Sequence, residues 1–346
     1  MTSLFASSIV DQYWFQTVVK ALVVGLLVPT TALILGIVFL FKVMSWMQSR
    51  MGPQEAGPRG LLQLVADGVK FLQKEDVVPA GADAVVFKAA PIVVLVSTFL
   101  VYVAIPASYH LVVADVDVGI FLVLAVSSLS VIGILMAGWS SANKYSLMGG
   151  LRAAGQLIAY ELPLVLAVVG VVIQAGTLNL NGIVTAQNTG AIFGLEFLGN
   201  PFILTQFVGF AIFLAAVQAE LTQTPFDMPV AESELVSGYQ VEYTGFRFLF
   251  FFLAEFATAF AFAAVASVLF LGGWGLPWVD LDSDAYWVIG PAILFAKVML
   301  VSFLIFWFRF TYPRFREDQL QTFAWKFLIP ISLVNILVTG VLVVVF

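Results

Sequence analysis

Long apolar runs alternate with short polar connections along almost the whole chain. Runs of about twenty apolar residues, the length that crosses a hydrocarbon core, lie at 13–42, 86–112, 118–138, 152–176, 201–221, 246–271, 288–310 and 323–345. The pattern predicts an all-α integral membrane protein of eight transmembrane helices in a single membrane domain, residues 1–346, with both ends on one side. One polar connection has a different rhythm. In 58–75, Leu61, Leu64, Val65, Val69 and Leu72 share one side of a helical wheel, and Asp67, Lys70 and Lys74 fall elsewhere. That is an amphipathic helix suited to the plane of the membrane interface.

Charge orients the spans. Lys42, Arg50, Arg59, Lys70, Lys74 and Lys88 belong to or flank the first connection. Lys144 and Arg152 belong to the third, Arg247 to the fifth, and Arg309, Arg314, Arg316 and Lys326 to the seventh. The N-terminal tail and the even-numbered connections contain no Lys or Arg. By the positive-inside rule the odd-numbered loops are predicted to be cytoplasmic and both termini outside. The outer connections, among them "GTLNLNGIVTAQNTGAIFGLEFLGNP" and "GGWGLPWVDLDSDAYW", read as interfacial turns rich in Gly, Asn and aromatic residues. The first apolar run is too long for a signal-peptide core and lacks a positive flank, so it is expected to remain as a span.

Composition narrows the chemistry. The chain is 61% hydrophobic and 10% charged, against roughly 25% charged residues in soluble domains. Without cysteine and with the single histidine His110, it cannot ligate zinc through thiolates, an iron–sulfur cluster or a bis-histidine haem. Redox carriers, if any, belong to partners or to a diffusible substrate. A formal charge of −6 argues against nucleic acid, which requires a basic face.

Three carboxylates fall within predicted spans. Glu161 lies about 14 Å beyond Arg152 and Glu255 about 12 Å beyond Arg247, at 1.5 Å per helical residue; Glu220 is near the cytoplasmic exit of the fifth span. Intramembrane carboxylates face protein or water and mark ion or proton paths. The alternatives are a neutral acid bonding between helices and, for Glu220, access to headgroup water. Lys297 either extends a polar path outward or snorkels to the surface, and Lys20 reads as a snorkelling side chain. His110 beside Tyr109 reads as an interfacial anchor. The segment "TQTPFDMPVAESELVSGYQVEYTG", 222–245, adds Asp227, Glu232, Glu234 and Glu242 with no basic residue. Pro225 and Pro229 forbid a continuous helix there, and the interleaved Phe226, Leu235, Val236, Tyr239 and Tyr243 seek a buried surface. This acidic cytoplasmic loop is read as a docking and proton-handling surface toward a partner.

Four stretches, "SRMGPQEAGPRGLLQLVADGVKFLQKED", "GWSSANKYSLMGGLRAAGQLIAYELP", "PFDMPVAESELVSGYQVEY" and "VLFLGG", occur in this order. Together they resemble the quinone-site membrane subunit of respiratory complex I, the proton-pumping NADH:quinone oxidoreductase (the H subunit in bacteria, subunit 1 in mitochondria). The resemblance covers nearly the whole chain. It implies a polypeptide that is not catalytic alone, anchors the hydrophilic arm, lines the quinone tunnel and starts the chain of buried charges linked to proton translocation. It implies that Arg50, Gly52, Pro53, Leu61, Asp67, Lys70, Phe226, Tyr239 and Tyr243 line that tunnel. Glu161, Glu220 and Glu255, with Asp227, Glu232, Glu234 and Glu242, would form the proton path. Quinone, either ubiquinone or menaquinone, is the implied substrate, with no metal, flavin or cluster held by this chain. The implied partners are cluster-bearing and quinone-site hydrophilic subunits on the cytoplasmic face, with small membrane and antiporter-like subunits beside it in a cell (inner) membrane. The sequence departs from the family pattern at Leu40 and Phe41, which precede Lys42 where Glu-Arg usually stands, and at Glu55, Gln223 and Val230. These departures keep open an alternative, the homologous ion-translocating subunit of a membrane-bound hydrogenase or ferredoxin-linked complex. A secondary transporter would show inverted repeats and broken helices, and neither is visible in the sequence; a pure scaffold would use its acids only for hydrogen bonds.

Overall fold

Single residues set where several of the helices begin and end. The computed structural model describes residues 13–109, 111–189, 200–276 and 286–345, and among them there is no strand. Seven helices are long and apolar enough to cross a bilayer: α1 (Trp14–Met47), α3 (Ala84–Ala104), α4 (Gly119–Ser140), α5 (Lys144–Ala175), α8 (Gly245–Phe270), α9 (Tyr286–Thr311) and α10 (Glu317–Val345). An eighth apolar helix, α7 (Phe207–Glu220), is shorter, and α2 (Gln63–Gln73) and α6 (Leu180–Thr189) complete the set.

Several boundaries differ from the sequence pattern for identifiable reasons. Asp83 caps α3 by accepting from the backbone N–H groups of Val85 and Val86. That helix ends at Ala104 rather than 112 because Ile105 precedes Pro106, and a residue before proline is driven out of the helical region. Asn143 caps α5 through the N–H of Tyr145, so the helix starts two turns before the apolar run does and closes on the left-handed Gly176 (φ 69°). In α7, regular helix occupies 14 residues, preceded by the separate turn Phe202–Thr205 and a non-helical Gln206. The predicted 58–75 helix is confined to Gln63–Gln73, because Arg59 (φ 53°) and Gly60 (φ 73°) are both left-handed and interrupt it.

The connection after α5 is a finding against expectation. It contains α6, whose Leu180, Ile183, Val184 and Gln187 are buried, where the composition suggested an interfacial turn. Those positions recur at i, i+3, i+4 and i+7, a helical face. His110 and the stretch 277–285 lie outside the described residues.

Helix α8 is the hub, packing against α1, α2, α3, α6 and α9. Its buried Ala257, Ala259, Ala261, Ala263, Ala264 and Ala266 let the neighbouring backbones come close, the usual route to tight helix packing in lipid. Helix α5 gathers α4, α7 and α10 on its other side. Two π-helical stretches interrupt long helices, Gly36–Val43 in α1 and Phe323–Leu328 in α10.

Candidate functional site

Two cavities lie on different faces of α8, near the end of the bundle that bears the basic connections. The larger, about 520 Å³, is walled by Pro29, Ala32, Leu33, Leu40 and Phe41 of α1, Leu64 to Leu72 of α2, and Phe246, Phe248, Leu249, Phe252, Leu253 and Phe256 around the start of α8. Asp67 and Lys70, 3.5 Å apart, are its charged lining residues. The amphipathic helix therefore closes one side of an apolar slot. Lys42 secures the loop that leads into that helix: its ammonium donates to the carbonyls of Pro53 (2.7 Å) and Arg59 (2.5 Å). Gly52 packs against the carbonyl of Phe41, where no side chain fits.

The smaller cavity, about 60 Å³, is lined by Ser97 and Thr98 of α3, Ser127 and Ser130 of α4, Glu220 and Thr222 at the end of α7, Tyr239 of the loop, and Glu255 and Thr258 of α8. It has room for about two waters at ~30 Å³ each. One oxygen of Glu220 is buried there without a hydrogen-bond partner. Glu161, on α5, stands within hydrogen-bonding reach of Ser128 of α4 and acts electrostatically on Glu220. Glu255 pairs with Arg309 at 3.1 Å and accepts a longer bond, 3.4 Å, from Gln223. The three intramembrane acids thus belong to one neighbourhood.

The acidic segment folds onto the basic end of the bundle as short helical turns, Met228–Val230, Glu232–Leu235 and Gly238–Gln240. Gln156 of α5 holds it, donating from one amide nitrogen to the carbonyls of Ala219 (2.7 Å) and Phe226 (2.8 Å). Gly149 of α5 meets Gly238 so closely that a side chain on either would collide with backbone. Most of the loop acids are paired. Asp227 forms a two-pronged pair with Arg314 (2.6 and 2.7 Å), Glu234 bonds Arg152 at 2.8 Å, and Glu242 accepts from Asn143 at 2.6 Å. Glu232 sits in an exposed turn and acts on Arg314 through its charge. The bond to Asp227 raises the pKa of Arg314 further above its ordinary value.

The tunnel candidates divide between several places. Asp67 and Lys70 line the apolar cavity, and Tyr239 lines the acidic one. Burial pushes the Tyr239 phenol well above its usual pKa, and the charge of Glu255 pushes the same way. Phe226 is buried against Tyr160, Phe315 and Phe323. Tyr243 stacks on Phe87 at 4.1 Å and donates to its carbonyl. Arg50 reaches Gln48, and Leu61 is exposed. Neither Arg50 nor Leu61 touches the apolar cavity, nor do Gly52 and Pro53, which form the turn behind its α1 wall. Lys297, on α9, donates to the carbonyl of Gly275 at 3.0 Å, so it faces protein; Lys20 is exposed.

A comparison of sequences decides the family. The pattern of the NADH dehydrogenase family matches residues 19–340. The chain belongs to that family. It is 48% identical over 323 residues to the H subunit of NADH-quinone oxidoreductase from Anoxybacillus flavithermus, covering 92% of each chain. It is 47% identical over 320 residues to the corresponding protein of Geobacillus kaustophilus, covering 90% of this chain and 92% of that one. With the corresponding protein of Brevibacillus brevis it shares 46% over 317 residues, 90% of both. The resemblance drawn from the four sequence stretches is borne out.

Several site residues carry no distinct signal in the sequence. Arg309, Arg314 and Arg152 enter it only as topological charges, yet each holds an acid. The hydroxyls of Ser127, Ser128 and Ser130 are legible as a polar cluster inside an apolar run. Leu40 and Phe41 stand where the family usually carries charge, and here they are walls of the apolar cavity. Gln223, in place of a usual arginine, bonds the same Glu255 that Arg309 neutralises.

Proposed function

We infer that this chain is the quinone-side membrane subunit of a proton-translocating NADH:quinone oxidoreductase. Its apolar cavity admits the isoprenoid tail of a quinone, and its acidic cavity takes up the proton movement that reduction drives. The observation that carries this reading is the pairing of the two cavities across α8, with Phe252 and Phe256 on one side and Glu255 and Thr258 on the other. An apolar slot of about 520 Å³ suits a flexible hydrocarbon chain and offers little to a polar headgroup. The headgroup is therefore reduced beyond this chain, beside hydrophilic subunits that carry the clusters.

Protons are handled by coupled groups. Glu220 and Glu255 line the hydroxyl-bearing cavity, Glu161 stands close to Ser128, and the three hand protons on as a set. The loop acids Asp227, Glu234 and Glu242 hold the segment in register, and Glu232 is free to meet a partner. The basic connections and the acidic loop face the cytoplasm, where the hydrophilic arm docks, and small membrane and antiporter-like subunits lie alongside. The names of the relatives support quinone chemistry over the hydrogenase-type alternative.

The test is a variant that fills the slot. Leu253→Trp in the assembled complex is expected to raise KM for long-tailed quinones about tenfold, a binding loss expressed in KM rather than in kcat. An unchanged KM would remove the apolar cavity from the quinone path.

A further inference from the structure

Between Gln206 and Gln218, helix α7 reads "FVGFAIFLAAV", with no polar side chain. Its buried Phe210, Ile212, Phe213, Leu214 and Val217 pack through apolar contacts, which are not directional. Such contacts hold a helix in a bundle but index its rotation and height only loosely. A polar knot at the end remote from Glu220 supplies the missing index. Gln206, 2% exposed, donates from Nε2 to the hydroxyl of Thr339 at 2.7 Å and accepts from Nδ2 of Asn335 at 2.8 Å, both on α10. Thr339 donates in turn to the Asn335 carbonyl at 2.8 Å, and Thr205 donates to Gln174 of α5 at 2.9 Å. Two glycines make room for the amide. A Cβ on Gly170 of α5 would stand 3.0 Å from Oε1 of Gln206, and one on Gly209 of α7 3.2 Å from it. The knot is tied rigidly to α7, because the Gln206 carbonyl accepts the N–H of Phe210 at 2.8 Å and so opens the helix.

We propose that Gln206 is a positioning residue: the knot fixes the rotation and height of α7 and thereby sets where Glu220, at the other end, presents its carboxylate. This rests on the reading of Glu220 as a member of the proton path. Apolar side chains of the same shape would hold three helices together about as firmly. What an amide and a hydroxyl add is a fixed direction. A helix of 14 residues is short and stiff, so a turn at one end arrives at the other. A rotation of about 20° sweeps a side chain about 5–6 Å from the axis through about 2 Å. Hydrogen bonds fail over a fraction of that distance. Glu220 would then fall out of line with the hydroxyls of Thr222 and Thr258 that line its cavity.

The experiment uses the whole complex in proteoliposomes and reads protons translocated per quinone reduced, together with KM for quinone. Gln206→Leu alone strands Asn335 and Thr339, which can lower stability by itself. The deciding variant therefore carries Gln206→Leu, Asn335→Leu and Thr339→Val together, removing the stranded groups along with their bonds. It is expected to unfold close to the wild-type temperature and to keep the wild-type KM. Protons translocated per quinone are expected to fall about threefold, within the range by which residues remote from a site modulate it. A merely structural knot would regain translocation as stability is regained. Full translocation in the triple variant, a change confined to KM, or a complex that does not assemble without the knot overturns the inference. Glu220→Gln in the same assay separates the two readings. If it lowers the ratio and the triple variant does not, this inference alone fails. If Glu220→Gln leaves the ratio unchanged, the proton path fails first and the positioning role falls with it.

Discussion

The two cavities beside α8 solve opposite problems with the same helix. The larger is walled by Phe, Leu and Val, and its charge is confined to Asp67 and Lys70. The smaller is lined by hydroxyls and carboxylates and has room for little more than water. A single α-helix separates them because residues about two apart fall on different faces, so Phe252, Leu253 and Phe256 point one way and Phe251, Ala254, Glu255 and Thr258 another. The contrast teaches that an apolar slot and a carboxylate cluster can be kept in different solvents a few ångströms apart. Mixing them would either hydrate the slot or strand the acids in hydrocarbon, where charge is costly.

The comparison breaks most sharply at Glu255. Glu255→Gln is expected to lower proton translocation per quinone reduced by about tenfold or more, the scale on which positioned acid–base groups act. Unaltered translocation in proteoliposomes would take Glu255 out of the path. Leu253→Trp probes the opposite face and should act on KM for long-tailed quinones. If it instead abolished pumping with KM unmoved, the assignment of the two faces would be reversed.

A smaller effect is expected between the cavities and the loop. Gln156→Leu leaves the carbonyls of Ala219 and Phe226 without their shared donor, at about 1–3 kcal/mol for each stranded group. A thermal-unfolding midpoint equal to wild type would show that the loop is held by other contacts. The smallest concerns Tyr243, whose phenol burial pushes from 10.0 up to about 12. Because the folded state favours the protonated phenol, its contribution is whole below pH 10 and is lost only as pH rises toward 12. Phenolate absorbance from this residue at pH 10 would contradict its packing on Phe87, and Tyr243→Phe should cost about 1 kcal/mol.

Helix existence was legible from the apolar runs, and family membership from four linear motifs. Helix ends were less legible, since caps such as Asp83 and Asn143 and the brake at Pro106 act through single residues that run-length counting ignores. The three membrane carboxylates could be singled out because their chemistry is foreign to their surroundings. Their convergence could not, because it depends on how α4, α5, α7 and α8 turn about their axes. Arg309 shows the same limit. Positive charges in a membrane chain are read first as orienting its spans, and that reading hides them as partners of specific acids. Phe226 and Tyr243, tunnel candidates by their motif, hold the loop to the bundle through their rings, a role that only packing reveals.

The 14-residue α7 measures about 21 Å along its axis, against a hydrocarbon thickness of about 30 Å. Packed among α5, α8 and α10, and largely buried beyond its first turn, it has little hydrophobic mismatch to relieve. Its brevity works as a depth gauge. The chain ends its helix early and so leaves one oxygen of Glu220 buried inside the bundle without breaking a longer helix. Lengthening α7 by one turn would carry that carboxylate some 5 Å toward water, out of line with the side chains it now faces.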